Sequence, residues 1–144
     1  MKKEFQIDQL NAIAQDVLNK ASSLYSQQTV IIALSGELGA GKTTLTQEIS
    51  HLLGVSENII SPTFVIMKRY QTNHKIFTTL VHIDAYRLNS SEELNHLGFQ
   101  EVSTDPHTLI ILEWPEKVPE CLNGHIVLKI NLEHKDEKTR QIEF

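Results

Sequence analysis

The segment from Gly36 to Thr43 reads Gly-Glu-Leu-Gly-Ala-Gly-Lys-Thr and fits the pattern G-x-x-x-x-G-K-[ST] at every position. An apolar run at 29–34, typical of a buried strand, precedes it. The spacing of Leu and Ile residues over 43–53 predicts a helix after it. Strand, glycine-rich turn and helix form the context in which this pattern binds phosphate. The sequence therefore predicts a phosphate-binding loop on an α/β scaffold.

The residue types of this loop suit a bound triphosphate. Glycines let backbone N–H groups approach an anion, and the N-terminus of the following helix adds partial positive charge. We expect Lys42 to reach the β- and γ-phosphates, the Thr43 hydroxyl to bind Mg²⁺, and Thr44 to touch the α-phosphate. The predicted nucleotide-binding residues are Glu37, Leu38, Gly39, Ala40, Gly41, Lys42, Thr43 and Thr44.

Composition indicates one soluble globular domain over residues 1–144. The chain is 40% hydrophobic and 22% charged, and its length suits one core better than two. No segment approaches the apolar length that spans a bilayer, and no apolar leader follows the N-terminal Met-Lys-Lys. We therefore expect a cytoplasmic protein that makes no membrane contact.

Charge and cysteine content exclude several classes of site. The net charge of −5 offers no basic surface for gripping nucleic acid, so any connection with RNA requires a partner. Cys121 is the single cysteine and can form no internal disulfide. The seven histidines are scattered without the spacing of a zinc site.

Hydrophobic patterning predicts a mixed sheet with a helix before it. A helix is predicted from Asp8 to about Tyr25. Strands at 65–70 and 76–83 are joined by a short polar link, which predicts an antiparallel hairpin. A second hairpin, at 126–132 and 140–144, is predicted at a sheet edge. The expected fold class is α/β, a P-loop NTPase-like three-layer fold with a mixed sheet containing antiparallel hairpins.

Two apolar strands end in acidic residues, which suggests a metal site. Asp84 follows the predicted strand at 76–83, and Glu113 follows the apolar run at 109–112. An acidic residue that closes an apolar strand has the form of a Walker B motif, whose carboxylate holds Mg²⁺. Strand ends converge on the ligand crevice of open α/β sheets, so both carboxylates could face the metal. The predicted catalytic residues are Lys42, Asp84 and Glu113, and the predicted metal ligands are Thr43, Glu113 and Asp84.

The sequence favours ATP hydrolysis over two other functions of such a loop. Small-molecule kinases bring several arginines on a lid, whereas this chain has Arg69, Arg87 and Arg140, far apart in sequence. The Asn-Lys-x-Asp reader of guanine is absent, which favours ATP over GTP. A small-metabolite kinase and a nucleotide-gated binding module without significant turnover remain as alternatives.

Four stretches together resemble one family. They are Gly-Glu-Leu-Gly-Ala-Gly-Lys-Thr-Thr at 36–44, Ser-Pro-Thr-Phe at 61–64, His-Ile-Asp-Ala-Tyr-Arg-Leu at 82–88 and Glu-Trp-Pro at 113–115. In this order and at these separations they resemble the TsaE family, formerly YjeE. This is the bacterial ATPase family of tRNA threonylcarbamoyladenosine biosynthesis. The resemblance extends over residues 29–121.

The resemblance implies an ATPase that works with the TsaB–TsaD pair. TsaD transfers a threonylcarbamoyl group to adenosine 37 of tRNAs that read codons starting with A, and ATP hydrolysis would reset the complex between turnovers. The protein would then meet tRNA only through the complex. By motif, Lys42 would bind phosphates, Thr43 and Glu113 would ligate Mg²⁺, and Asp84 would support the metal or the attacking water. The segment around Thr63 would sense the γ-phosphate, and Trp114 would lie near the nucleotide.

Overall fold

The structure is a computed structural model and describes residues 1–60 and 65–144. Within these residues the strands are β1 (Lys2–Gln6), β2 (Val30–Ser35), β3 (Met67–Gln71), β4 (Thr79–Asp84), β5 (Thr108–Glu113), β6 (Ile126–His134) and β7 (Thr139–Glu143). The helices are α1 (Leu10–Leu24), α2 (Lys42–Leu52), α3 (Ser91–His96) and α4 (Phe99–Val102). Short 3-10 turns lie at Ile7–Gln9, Pro115–Lys117 and Pro119–Leu122.

The described strands form one sheet in the order β1-β7-β6-β2-β5-β4-β3. The four central strands, β6, β2, β5 and β4, run parallel, and the flanking pairs are antiparallel. Parallel strands buried on both faces need nearly continuous apolar sequence. The run Val-Ile-Ile-Ala-Leu of β2 meets this need. The predicted phosphate-binding loop at 36–43, the phosphate loop, therefore leaves the sheet at its centre.

Helices cover both faces of the sheet, so the structure has three layers. On one face α1 and α2 pack against the alternate side chains Val30, Ile32 and Leu34 of β2. On the other face α3, α4 and the 3-10 turn Pro119–Leu122 pack against Ile31 and its neighbours on β4 and β5. No helix within residues 1–60 and 65–144 is long and apolar enough to cross a membrane. The predicted α/β fold class is confirmed.

The sheet confirms two predicted features and corrects a third. Strands β3 and β4 form the predicted antiparallel hairpin, and so do β6 and β7. The prediction that the second hairpin lies at a sheet edge was wrong, because β1 pairs with β7 on its outer side. Strand β1 was not predicted. The first helix also begins later than Asp8, which lies in the 3-10 turn Ile7–Gln9.

A close backbone approach holds the start of the phosphate loop against β6. Gly36 follows β2 and has a φ of +152°, and an added Cβ would lie 2.6 Å from the Leu132 carbonyl oxygen. Real Cβ atoms do not come that close to backbone. Only glycine therefore lets β2 leave the sheet beside β6 in this way.

Substitution at Gly36 tests this approach. We expect Gly36→Ala to lower the free energy of unfolding by about 2 kcal/mol more than Gly39→Ala, because overpacking adds to backbone strain. Gly39 is the matched control, since its φ is +81° but an added Cβ there meets no atom within 4 Å. Urea unfolding of both variants measures the difference. Equal losses would contradict the proposed steric role of Gly36.

We expect His74, in the link between β3 and β4, to make the free energy of unfolding depend on pH. Its Nδ1 accepts hydrogen bonds from the backbone N–H groups of Ile76 (3.1 Å) and Phe77 (3.2 Å). Burial lowers the pKa of His74 below the ordinary 6.5. The native state then binds fewer protons than the unfolded state, so the free energy of unfolding falls as pH drops below about 6.5.

The variant His74→Asn tests this dependence, because its amide oxygen can accept hydrogen bonds but does not titrate. We expect urea unfolding between about pH 5 and pH 7.5 to show a shallower loss of stability in the variant than in the parent chain. Identical pH profiles for the two proteins would show that His74 contributes nothing to the dependence.

Candidate functional site

The phosphate loop is a glycine-bent turn between β2 and α2. Gly39 and Gly41 have φ values of +81° and +103°, in the left-handed region that favours glycine. The Ala40 N–H donates to the Glu37 carbonyl at 3.1 Å, and the Leu45 N–H donates to the Gly41 carbonyl at 2.9 Å. Helix α2 therefore begins directly at Lys42. The first N–H groups of a helix have no intrahelical acceptor, so this end can bind an anion.

The Lys42 ammonium lies inside the loop. The side chain is buried, and its Nζ donates to the carbonyl oxygens of Gly36 and Glu37, the latter at 3.0 Å. Nζ also lies 4.3 Å from the ring centroid of Trp114, a cation–π contact. The pKa of Lys42 lies below its ordinary value, because burial lowers it by more than the nearby Glu113, Glu116 and Asp84 carboxylates raise it. The structure thus holds a desolvated cation where the loop bends.

The two acidic strand ends are neighbours. Asp84 on β4 is paired in register with Glu113 on β5, and the two residues are 6% and 2% exposed. The Thr43 hydroxyl lies 3.2 and 3.4 Å from the two carboxylate oxygens of Glu113. Asp84 Oδ1 accepts a hydrogen bond from the Tyr86 N–H at 3.0 Å. The predicted metal ligands therefore lie together at one edge of the sheet.

This donor set suits Mg²⁺ in its chemistry. Two carboxylates and a hydroxyl are hard oxygen donors, and Mg²⁺ commonly takes one or two carboxylates together with substrate phosphates and water. The described residues contain no cluster of three or more His, Cys, Asp or Glu side chains able to hold a metal. A metal here would thus rely on a ligand to complete its coordination.

A cavity of about 370 Å³ joins these groups. Its lining residues include most of the predicted nucleotide site and both acidic strand ends. They are Leu38, Gly39, Gly41, Lys42, Thr43, Thr44, Asp84, Tyr86, Glu113, Trp114 and Arg140. Glu37 and Ala40, also predicted as nucleotide-binding, instead line a second cavity of about 670 Å³ on the β6 side of the loop. The other six predicted nucleotide-binding residues all line the first cavity, together with Asp84 and Glu113.

Three residues of the site had no role in the sequence prediction. Arg140 on β7 lines the cavity beside Gly41, and Tyr86 packs its ring 5.1 Å from that of Trp114. His82 on β4 is fully buried and bonds to Glu113. Tyr86 and His82 lie in one of the stretches that resemble the family, which was their only sequence signal. Arg140 had no signal, because it lies in an ordinary alternating strand.

Two further predicted features concern Trp114 and Thr63. Trp114 lies at the cavity, where its left-handed backbone (φ +61°) turns the chain after β5. The predicted switch segment around Thr63 lies outside the described residues.

Comparisons with known proteins give a matching family and a similar solved structure. The family described as "Threonylcarbamoyl adenosine biosynthesis protein TsaE" matches residues 6–142. A crystal structure of YdiB from Bacillus subtilis has a TM-score of 0.66 and 25% identity, and the match covers 99% of this chain and 83% of that one.

Curated relatives carry the same family description, tRNA threonylcarbamoyladenosine biosynthesis protein TsaE. A relative from Rickettsia felis is 42% identical over 111 residues, which is 76% of this chain. The match spans 61% of that relative's own length. A relative from Haemophilus influenzae is 34% identical over 122 residues, 84% of this chain and 73% of the relative. With a family match over nearly its whole length and relatives of this identity, the chain belongs to the TsaE family.

Proposed function

We propose that residues 1–144 form a single P-loop ATPase domain that binds and hydrolyses Mg-ATP. One observation carries the proposal: the Thr43 hydroxyl at the start of α2 lies 3.2 Å from the Glu113 carboxylate at the end of β5. A phosphate-binding helix end and an acidic strand end meet in this contact, as Mg²⁺ binding beside a triphosphate requires.

The phosphate side of the cavity is cationic. Lys42 supplies an ammonium, and the N-terminus of α2 supplies backbone N–H groups with their partial positive charge. In the proposed complex the ammonium exchanges its loop carbonyl partners for phosphate oxygens. This exchange needs little movement, because Nζ already lies inside the loop.

Arg140 adds a second cation to this side. Its Nη1 donates to the backbone carbonyls of Asp136 (2.8 Å) and Thr139 (3.1 Å), so the turn between β6 and β7 holds the guanidinium in place. Its Nε is buried and has no hydrogen-bond partner among the residues that the structure describes. A buried donor without an acceptor is costly. A phosphate oxygen in the adjoining cavity would satisfy it.

The metal side of the cavity is anionic. Thr43 and Glu113 would hold Mg²⁺, which would neutralise charge that develops on the phosphates. Asp84 is fixed by its hydrogen bond from the Tyr86 N–H and lies next to Glu113 in register. We assign Asp84 to the support of the metal or of the attacking water, as the family resemblance implies.

The proposed biological role is accessory. The relatives named as tRNA threonylcarbamoyladenosine biosynthesis proteins support a role in N6-threonylcarbamoyladenosine modification of tRNA. We propose that the protein acts in the cytoplasm with the TsaB–TsaD complex, which stimulates its hydrolysis. A chain with a net charge of −5 suits contact with proteins and leaves tRNA to them.

Hydrolysis of ATP by the full chain with Mg²⁺, measured alone and with TsaB and TsaD, tests the proposal. We expect slow release of phosphate alone and faster release with the complex. Lys42→Ala should weaken ATP binding about 10- to 100-fold, because a charge-assisted hydrogen bond contributes about 1.5–3 kcal/mol. Lys20→Ala, on the exposed face of α1, is the matched control and should keep full activity.

Other outcomes of this assay would favour the alternatives. Transfer of the γ-phosphate to a small acceptor would indicate a metabolite kinase. A variant such as Asp84→Asn that binds ATP without hydrolysis, yet sustains tRNA modification, would indicate a nucleotide-gated binding module. Undiminished turnover by Lys42→Ala would rule out the mechanism proposed here.

The role of Arg140 is tested by nucleotide binding. We expect Arg140→Ala to weaken binding of ATP about tenfold or more, because the hydrogen bond from its buried Nε to phosphate is lost. Arg69→Ala, on the exposed side of β3, is the control for loss of one positive charge and should bind ATP normally. Calorimetric titration of both variants measures the difference, and equal affinities would remove Arg140 from the site.

A further inference from the structure

His82 is a buried histidine of β4 that has no role in the proposed function. It lies on β4 two residues before Asp84 and is 0% exposed. Alternation along a strand places His82 and Asp84 on the same face of the sheet. Leu80, two residues earlier on that face, belongs to the core that packs against α1 and α2. His82 is thus a polar side chain at a position where the strand otherwise carries apolar ones.

The partner of His82 is the carboxylate of Glu113. The two groups are joined at 2.5 Å between Nε2 and Oε2. An ionised carboxylate only accepts hydrogen bonds, so the proton on Nε2 is assigned to His82 as donor. The Thr43 hydroxyl lies 3.2 Å from the other oxygen, Oε1, and 3.4 Å from Oε2. The bond from β4 is therefore made to Oε2 of Glu113, and Oε1 is the oxygen that lies nearer to the Thr43 hydroxyl on α2.

This arrangement has a cost that packing does not explain. The Nδ1 of His82 is buried and has no hydrogen-bond partner among the described residues. A buried polar atom without a partner destabilises a fold, and an apolar side chain would avoid that cost. The gain lies in the bond to Glu113, which is 2% exposed and has little water to hydrate its charge.

We propose that His82 is a positioning residue for the Mg²⁺-binding carboxylate Glu113. The inference rests on the proposed function. By donating to Oε2, His82 restricts rotation of the carboxylate and leaves Oε1, beside the Thr43 hydroxyl, for the metal. Hydrogen-bond partners that orient metal ligands typically change metal affinity by about 10- to 100-fold when they are removed. His82 would act on the metal through Glu113 and would not touch the nucleotide.

The test compares binding of a fluorescent ATP analogue in EDTA and during a Mg²⁺ titration. His82→Leu removes the donor, whereas His82→Gln carries an amide N–H that can take the place of Nε2. We expect His82→Leu to need about 10- to 100-fold more Mg²⁺ for its half-maximal effect. Its affinity in EDTA should stay within about twofold of the parent chain, because the phosphate contacts do not involve His82. His82→Gln should recover most of the Mg²⁺ response.

A third variant covers the case in which His82→Leu does not fold. His82→Asn keeps a polar side chain of similar shape but is too short to reach Glu113, so comparison of Asn with Gln isolates the hydrogen bond. Thermal melting identifies which variants are folded.

The outcomes separate this inference from the proposed function. A parent chain that binds no nucleotide, or does not respond to Mg²⁺, overturns both. A parent chain that responds to Mg²⁺ while the donor-less variants respond at the same concentration overturns the role of His82 alone. If the donor-less variants lose equal affinity for the ATP analogue in EDTA and in Mg²⁺, His82 has a general structural role. That result would also overturn its role in positioning Glu113.

Discussion

Parallel pairing on both sides of β2 is the constraint on which the site depends. Strand β2 is bonded to β5 on one side and β6 on the other, and β5 is bonded in parallel to β4. Parallel neighbours must end at the same edge of a sheet. The loop that leaves β2 therefore meets the ends of β4 and β5, where Asp84 and Glu113 lie. A single antiparallel strand at this point would send one of these groups to the opposite edge.

Charge is divided within the cavity in a way that suits a metal–triphosphate. Lys42 and Arg140 approach from the loop and from β7, and Asp84 and Glu113 approach from β4 and β5. Lys42, Asp84 and Glu113 are nearly fully buried, so each needs partners to offset lost hydration. Lys42 contacts loop carbonyls and the Trp114 ring. Glu113 is bonded to Thr43 and His82. These partners hold the charged groups in place.

Much of the fold was predictable from local sequence, but strand β1 was not. The polar link at 71–75 is too short for a crossover between parallel strands, so an antiparallel hairpin was predicted. The antiparallel pairing of β3 and β4 confirms it. Strand β1 escaped prediction because a single residue, Phe5, is buried within it. Its partner is β7 at the far end of the chain. A pattern with one buried side chain does not identify a strand, and this omission left the second hairpin wrongly at the edge.

The sequence by itself determined the glycine-bent loop, its lysine and hydroxyl, and the two acidic strand ends. These features depend on neighbouring residues: a positive φ favours glycine, and an apolar run predicts its own strand and end. The tertiary structure alone decided that Arg140 lies beside Gly41 and that His82 bonds to Glu113. Those contacts join segments far apart in the chain, and only sheet order and register determine which distant side chains meet.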